Sequence, residues 1–145
     1  MRVNGARPGD LVDTGAILAL VDPSDSWHLP CREALAAEVR FPLVATSAVL
    51  TEAFHFALKK GFRQRVWDFV RGSVVMASIA NRELPALDLL MARYADRPMD
   101  FADATLVHVA GREGLRTILT IDHDDFETYR IGRNAKFRIL PERVR

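Results

Sequence analysis

Five carboxylates in this chain stand where a charge is costly or where a ligand would bind. In PMDFADATLVHVA (98–110), Asp100 and Asp103 fall one helical turn apart, just where a strongly apolar helix pattern begins. Asp103 shares its face with Leu106, Val107 and Ala110. Asp100 sits at the helix start, where an aspartate also serves as an N-cap, so both readings stand for it. Glu52 lies in SAVLTEAFHFALKKG with Ala48, Val49, Ala53 and Phe56 around it on what should be the face toward the protein interior. Such a glutamate must find a partner, turn to solvent or join a site, because an unpaired buried carboxylate is expensive. Asp13 and Asp122 each close a short apolar run, LVD and TILTID. Carboxylates brought together raise one another's pKa unless something positive sits among them. No lysine or histidine is spaced to do so. A hard divalent cation would, and an all-oxygen donor set suits Mg²⁺ or Mn²⁺, ions that activate water and bind phosphodiesters.

The elements that would position these groups follow from apolar runs and punctuation. LVD (11–13), PLVATS (42–47), SVVMASI (73–79), TILTID (117–122) and FRIL (137–140) read as strands. Helical patterns fill the intervals. One follows Asp13. One follows the DPSD turn, with Asp25 or Ser26 as its cap, and runs to about residue 38. One runs from Ser47 to Lys59-Lys60-Gly61, and one over 62–72 has Phe62, Val66, Phe69 and Val70 on one face. The last two span 83–95, with Leu84, Leu87, Met91 and Tyr94 at core spacing, and 101–113, closed by Gly114. Short strands that are apolar throughout, alternating with helices, indicate a parallel sheet buried on both faces, an α/β/α sandwich. In such a sheet ligands bind beyond the carboxyl ends of strands where the strand order reverses, so Asp13 and Asp122 are expected there.

Composition limits the other possibilities. The chain has 145 residues, 49% of them hydrophobic and 27% charged, which fits one globular domain with residues 1–8 as a frayed lead-in. No apolar run is long enough for a membrane helix, and the first residues lack a secretory h-region. With Cys31 the sole cysteine, a reducing cytoplasm is the expected setting. A net charge of +1 does not by itself mark a nucleic-acid binder. Of the 20 basic residues, however, only Lys59, Lys60 and Lys136 are lysines, and arginine is the bidentate phosphate ligand. Arg130, Arg133, Lys136, Arg138, Arg143 and Arg145 crowd the end of the chain, either as a phosphate-contacting rim or as a solvated edge. His28, His55, His108 and His123 show no metal-site spacing. His28 and Trp27 lie near the expected mouth of the site, where each reads as packing or as an RNA contact.

LVDTGAILAL, TSAVLTEAF, MDFADATLVHVAGREG and LTIDHDDF, in that order over about residues 10–140, resemble the PIN-domain ribonucleases, and among them the VapC-type toxins of toxin–antitoxin pairs. That resemblance implies a five-stranded parallel sheet in the order 3-2-1-4-5. It also implies a Mg²⁺- or Mn²⁺-dependent endoribonuclease, usually a homodimer, silenced by a small antitoxin protein. By position, Asp13, Glu52, Asp103 and Asp122 match the acidic catalytic quartet, with Asp13, Asp103 and Asp122 as metal ligands. Asp100 matches an extra acidic position, and Thr14 and Thr120 match hydroxyls that orient the quartet. Asp125 with Phe126 matches a structural element after the strand, while Asp124 is a lesser candidate ligand. A receiver-like domain would want an aspartate after the third strand and a lysine after the fifth, where Asn81 and Pro141 stand nearby instead. A non-catalytic PIN-like interaction module is the remaining alternative, though such modules lose acidic positions that are all present here.

Overall fold

The structure, a computed structural model, describes residues 7–143. Most of the expected lead-in and the last arginine of the basic tail, Arg145, lie outside the described residues. Five parallel strands form the sheet: β1 (Leu11–Val12), β2 (Leu43–Ala45), β3 (Val74–Met76), β4 (Thr117–Leu119) and, last in the chain, β7 (Arg138–Leu140). Their order is β3-β2-β1-β4-β7. This is the expected 3-2-1-4-5 arrangement, with FRIL as the fifth strand of the sheet. The order reverses between β1 and β4, which pair through Leu11 with Ile118 and Val12 with Leu119. Asp13 and Asp122 therefore leave neighbouring strands at the same end.

Helices cover the sheet: α1 (Thr14–Val21), α2 (His28–Ala37), α3 (Ser47–Lys60), α4 (Arg63–Ser73), α5 (Leu84–Arg93), α6 (Phe101–Glu113) and the short α7 (His123–Thr128). Local chemistry sets their ends. Thr46 caps α3 by accepting from Val49 N, and its hydroxyl also bonds the Thr105 hydroxyl at 2.7 Å, tying α3 to α6. Gly61 and Gly114 close α3 and α6 in the left-handed conformation, which glycine adopts without a Cβ clash. Burial of Leu11, Val12, Leu43, Val44, Ile118 and Leu119 from both faces accounts for the non-alternating strands.

Several expectations fail for identifiable reasons. β3 is an edge strand, half-buried at Val74 and Val75 and exposed at Met76, so its apolar run does not signify burial on both faces. In α5 only Leu87 is fully buried. Met91 and Tyr94 pack partly against the core, while Leu84 points outward, because the helix lies on one side of α6 only. On α3, Phe56 is 46% exposed and does not face the sheet. The DPSD turn does not cap α2: Asp22 accepts from Ser24 N and Asp25 from Trp27 N, so both carboxylates fold the turn one residue short of the helix. An antiparallel ribbon of β5 (Arg130–Ile131) and β6 (Ala135–Lys136) precedes β7, unannounced by any alternating pattern. Among the described residues no helix is long and apolar enough to cross a membrane.

Candidate active site

The acidic residues converge at the carboxyl ends of β1 and β4. Asp13 follows β1 and caps α1, its Oδ1 accepting from Thr14 N at 2.8 Å. Its Oδ2 accepts from the Thr120 hydroxyl at 3.0 Å, and that hydroxyl in turn accepts from Asp122 N at 3.0 Å. Thr120 is wholly buried, so one hydroxyl fixes both strand-end aspartates relative to each other. Thr14 reaches the other way. Its hydroxyl lies 3.3 Å from Glu52 Oε1 and 3.2 Å from Val49 O, joining α1 to α3. The two threonines thus bond the carboxylates they were expected to orient.

Asp100 and Asp103 separate into two roles. Asp100 is exposed and caps α6, accepting from Asp103 N at 2.8 Å. Asp103 lies a turn inside with 7% of its surface accessible, and its Oδ2 accepts from the Tyr129 hydroxyl at 2.9 Å. Tyr129 is fully buried, and both burial and Asp103 push its own hydroxyl up. Sequence reasoning missed Tyr129. The available signal was only that a buried tyrosine needs a partner for its hydroxyl.

The electrostatics are those of carboxylates short of positive charge. Burial raises Asp103 to about 8, with the charges of Asp13 and Asp100 adding to it. Burial raises Asp13 to about 6 against the opposing hydrogen bonds from Thr14 and Thr120. Asp122 also rises to about 6, through burial first and then contact with Asp125. Glu52 is raised by burial and by Asp100. The one cation hydrogen-bonded to an acid of this group, among the described residues, is Arg97. Its Nε and Nη2 both donate to Asp125 Oδ1, at 3.2 and 3.0 Å, and its Nη1 donates to the Thr128 hydroxyl at 3.1 Å.

Carboxylate oxygens of Asp103, Asp122 and Asp125 all lie within 4.8 Å of one another, the one grouping among the described residues tight enough to hold an ion. It includes Asp125, which sequence reasoning gave a structural part, and leaves Asp13 adjoining rather than inside. The donor set fits a hard divalent cation. It is oxygen-only and partly buried, and burial raises Asp103 and Asp122 well above the usual carboxylate range. Asp124, by contrast, is exposed and paired with Arg143, which holds it below its ordinary value, so it stands apart from the cluster. Asp125 donates its N–H to Asp122, and Phe126 is buried, as befits the element after the strand.

The remaining candidates stand apart from the carboxylate cluster, most of them in local contacts. His28 Nδ1 bonds Ala19 O at 2.7 Å, tying α2 to α1. His123 is buried, bonds Pro141 O at 2.7 Å and lies under Trp27 with ring centroids 5.1 Å apart, so Trp27 covers the core there. His108 pairs with Glu83 and His55 is exposed. Of the basic tail, Arg130 bonds backbone carbonyls, Arg138 approaches Glu38 at 3.8 Å and Arg143 pairs with Asp124, which leaves Arg133 and Lys136 exposed on the ribbon.

Known proteins share this fold. The PIN-domain family profile matches residues 11–132. Ribonuclease VapC26 of Mycobacterium tuberculosis is 25% identical over 134 residues, covering 90% of this chain and 99% of that protein. The fold is also that of Mycobacterium tuberculosis VapC20, described as a sarcin-ricin loop cleaving toxin (TM-score 0.69, 19% identity, 79% of this chain and 90% of that one). A toxin–antitoxin complex from Klebsiella pneumoniae superposes with a TM-score of 0.62 at 19% identity, covering 82% and 91%. VapBC2 from Rickettsia felis, bound to a promoter DNA fragment, gives 0.63 at 15%, covering 89% and 96%. With the family match spanning most of the chain and the sheet order in agreement, the chain belongs to the PIN-domain family, and its relatives there are VapC proteins.

Proposed function

We propose that this protein is a divalent-metal-dependent endoribonuclease, the toxin of a toxin–antitoxin pair. The observation that carries the reading is the cluster of carboxyl groups at the sheet's reversal point, raised by burial and by one another, with Arg97 the single hydrogen-bonded cation among the described residues. Charge gathered so closely in a buried place costs stability beyond what the helix caps return, which supports a functional reason for it. The named relatives support the RNA substrate and the antitoxin partner.

In this reading Asp13, Asp103 and Asp122 hold Mg²⁺ or Mn²⁺, with Asp125 close enough to contribute. When bound, such an ion activates water and offsets the charge that develops on a phosphoryl group. The protein's own groups do the rest. Thr120 and Tyr129 fix the directions of Asp13 and Asp103. Glu52, half-buried and held by Thr14, takes the proton from the water that attacks phosphorus, a task its raised pKa suits. Asp100 holds the start of α6 so that Asp103 points inward. The protein works as a homodimer that a small antitoxin occupies.

The test compares purified wild type with Asp103→Asn on structured RNA in Mg²⁺. Cleavage by wild type that EDTA stops and the variant lacks is expected. Equal cleavage by both, or cleavage that persists in EDTA, would sink the assignment.

A further inference from the structure

A cavity of about 450 Å³ opens beside the acidic cluster, between the first turns of α3 and α6. Its lining includes Glu52 and Asp100, so it is continuous with the proposed active site and not a separate feature. Phe101 stands in it, 48% exposed, at the first position of α6 and directly after the Asp100 cap. A large aromatic ring left in solvent at a fixed helix start calls for a reason. Phe101 takes part in no aromatic or cation–π pair among the described residues, which leaves its exposed half available to a flat partner.

The other walls say what would lie on it. Ser47, Ala48 and Ala102 are small, leaving room for a flat group, and Ser47 and Thr51 bring hydroxyls. The volume falls within the roughly 300–1,000 Å³ usual for small ligands. No lysine or arginine lines the cavity, while two carboxylates do, so a phosphate would be repelled. A neutral ring that donates hydrogen bonds from amino or imino groups would be accepted. Single-stranded RNA supplies that group, since its unpaired bases stack on aromatic side chains and present their edges to polar neighbours.

We propose that this cavity is a nucleobase subsite, in which Phe101 stacks on one unpaired base of the RNA next to the phosphate to be cut. The inference rests on the ribonuclease reading for its substrate. It adds a residue that selects unpaired RNA and favours bases with donor groups facing Glu52 and Asp100. Phe101 binds and positions; it moves no proton.

The experiment measures binding apart from cleavage. Labelled single-stranded RNA is titrated, in EDTA, with wild type, Phe101→Ala, Phe101→Leu and Phe101→Trp, and circular dichroism checks that each is folded. Loss of about tenfold in affinity is expected for the alanine and leucine variants, and retention for tryptophan, because stacking needs a ring and not merely apolar bulk. RNAs carrying a single abasic nucleotide, moved stepwise along the strand, should reveal one position where wild type loses affinity and Phe101→Ala loses none. In Mg²⁺ the alanine variant should show a raised KM with kcat little changed. Equal RNA binding by wild type and Phe101→Ala would overturn the subsite while leaving the nuclease standing. So would loss of a co-purifying protein partner from Phe101→Ala with RNA binding intact, which would give the ring to a protein. RNA binding that depends on Phe101, in a wild type that cleaves nothing, would instead refute the nuclease and keep the subsite.

Discussion

Asp103→Asn should make the metal-free protein more stable while abolishing cleavage. The carboxyl is 7% accessible, and its pKa moves from 3.8 to about 8 on folding. The sign follows from proton counting. Between those values the folded chain keeps a proton that the unfolded chain has released, so stability falls as pH rises through that window. One pKa unit corresponds to about 1.4 kcal/mol, so the cost of Asp103 approaches about 5 kcal/mol by pH 7.5. Asparagine removes the ionisation but must still receive the Tyr129 hydroxyl through its amide oxygen. Asp13 and Asp122 also readjust once a neighbouring charge is gone, so the net gain should be smaller, about 2–4 kcal/mol. For a chain of this size that corresponds to a rise of roughly 5–15 °C in Tm. The assay is thermal unfolding in EDTA from pH 4.5 to 8.5. The variant's advantage should be largest at pH 8 and should shrink several-fold by pH 4.5, where the folded carboxyl is protonated and the pH approaches the unfolded-state value of 3.8. A variant no more stable than wild type at pH 8, or one equally stabilised at every pH, would refute the electrostatic origin of the effect.

Other perturbations test neighbouring parts of the site. Tyr129→Phe keeps the packed ring but leaves Asp103 Oδ2 without its donor; a stability loss of about 1 kcal/mol by denaturant titration and a weaker affinity for Mn²⁺ are expected. Arg97→Ala removes the cation from Asp125 while costing under about 1 kcal/mol of stability, because the pair is half-exposed. Asp122 should then titrate higher, moving the acid limb of the cleavage profile to higher pH. Gly15→Ala would bring a methyl to 2.7 Å from the Ile121 side chain, next to Asp122, so cleavage should fall more than stability does. Thr46→Val removes the α3 cap and the bond to Thr105, and should lower stability by about 1–2 kcal/mol in chemical unfolding.

What could be read from the sequence divides along physical lines. The strand runs and the two strand-end aspartates were legible because a buried parallel strand is apolar throughout and stops where polarity begins. Asp103 was legible because packing alone gives no reason for a carboxylate on an otherwise apolar helix face. Its partner was not. Tyr129 reaches Asp103 only through the path of α7 and the ribbon, which no local periodicity encodes. Asp125 and Arg97 were hidden for the same reason: their meeting joins the loop before α6 to α7, a contact set by packing. Phe56 and Leu84 misled because helical spacing locates a face without telling how wide a neighbour covers it. The apolar pattern did not show the edge position of β3, since an apolar run reads alike at the centre and the edge of a sheet; only the strand order implied by the resemblance did.

Metal binding and cleavage stand or fall together if the carboxylate cluster is the catalytic centre. Mn²⁺ binding followed by electron paramagnetic resonance, with RNA cleavage measured in the same samples, decides this for wild type, Asp103→Asn, Asp13→Asn and Asp122→Asn. Wild type should bind the ion and cleave, and each variant should lose both together. Tight Mn²⁺ binding that survives in all three variants, or RNA cleavage by a wild type that binds none, would contradict it.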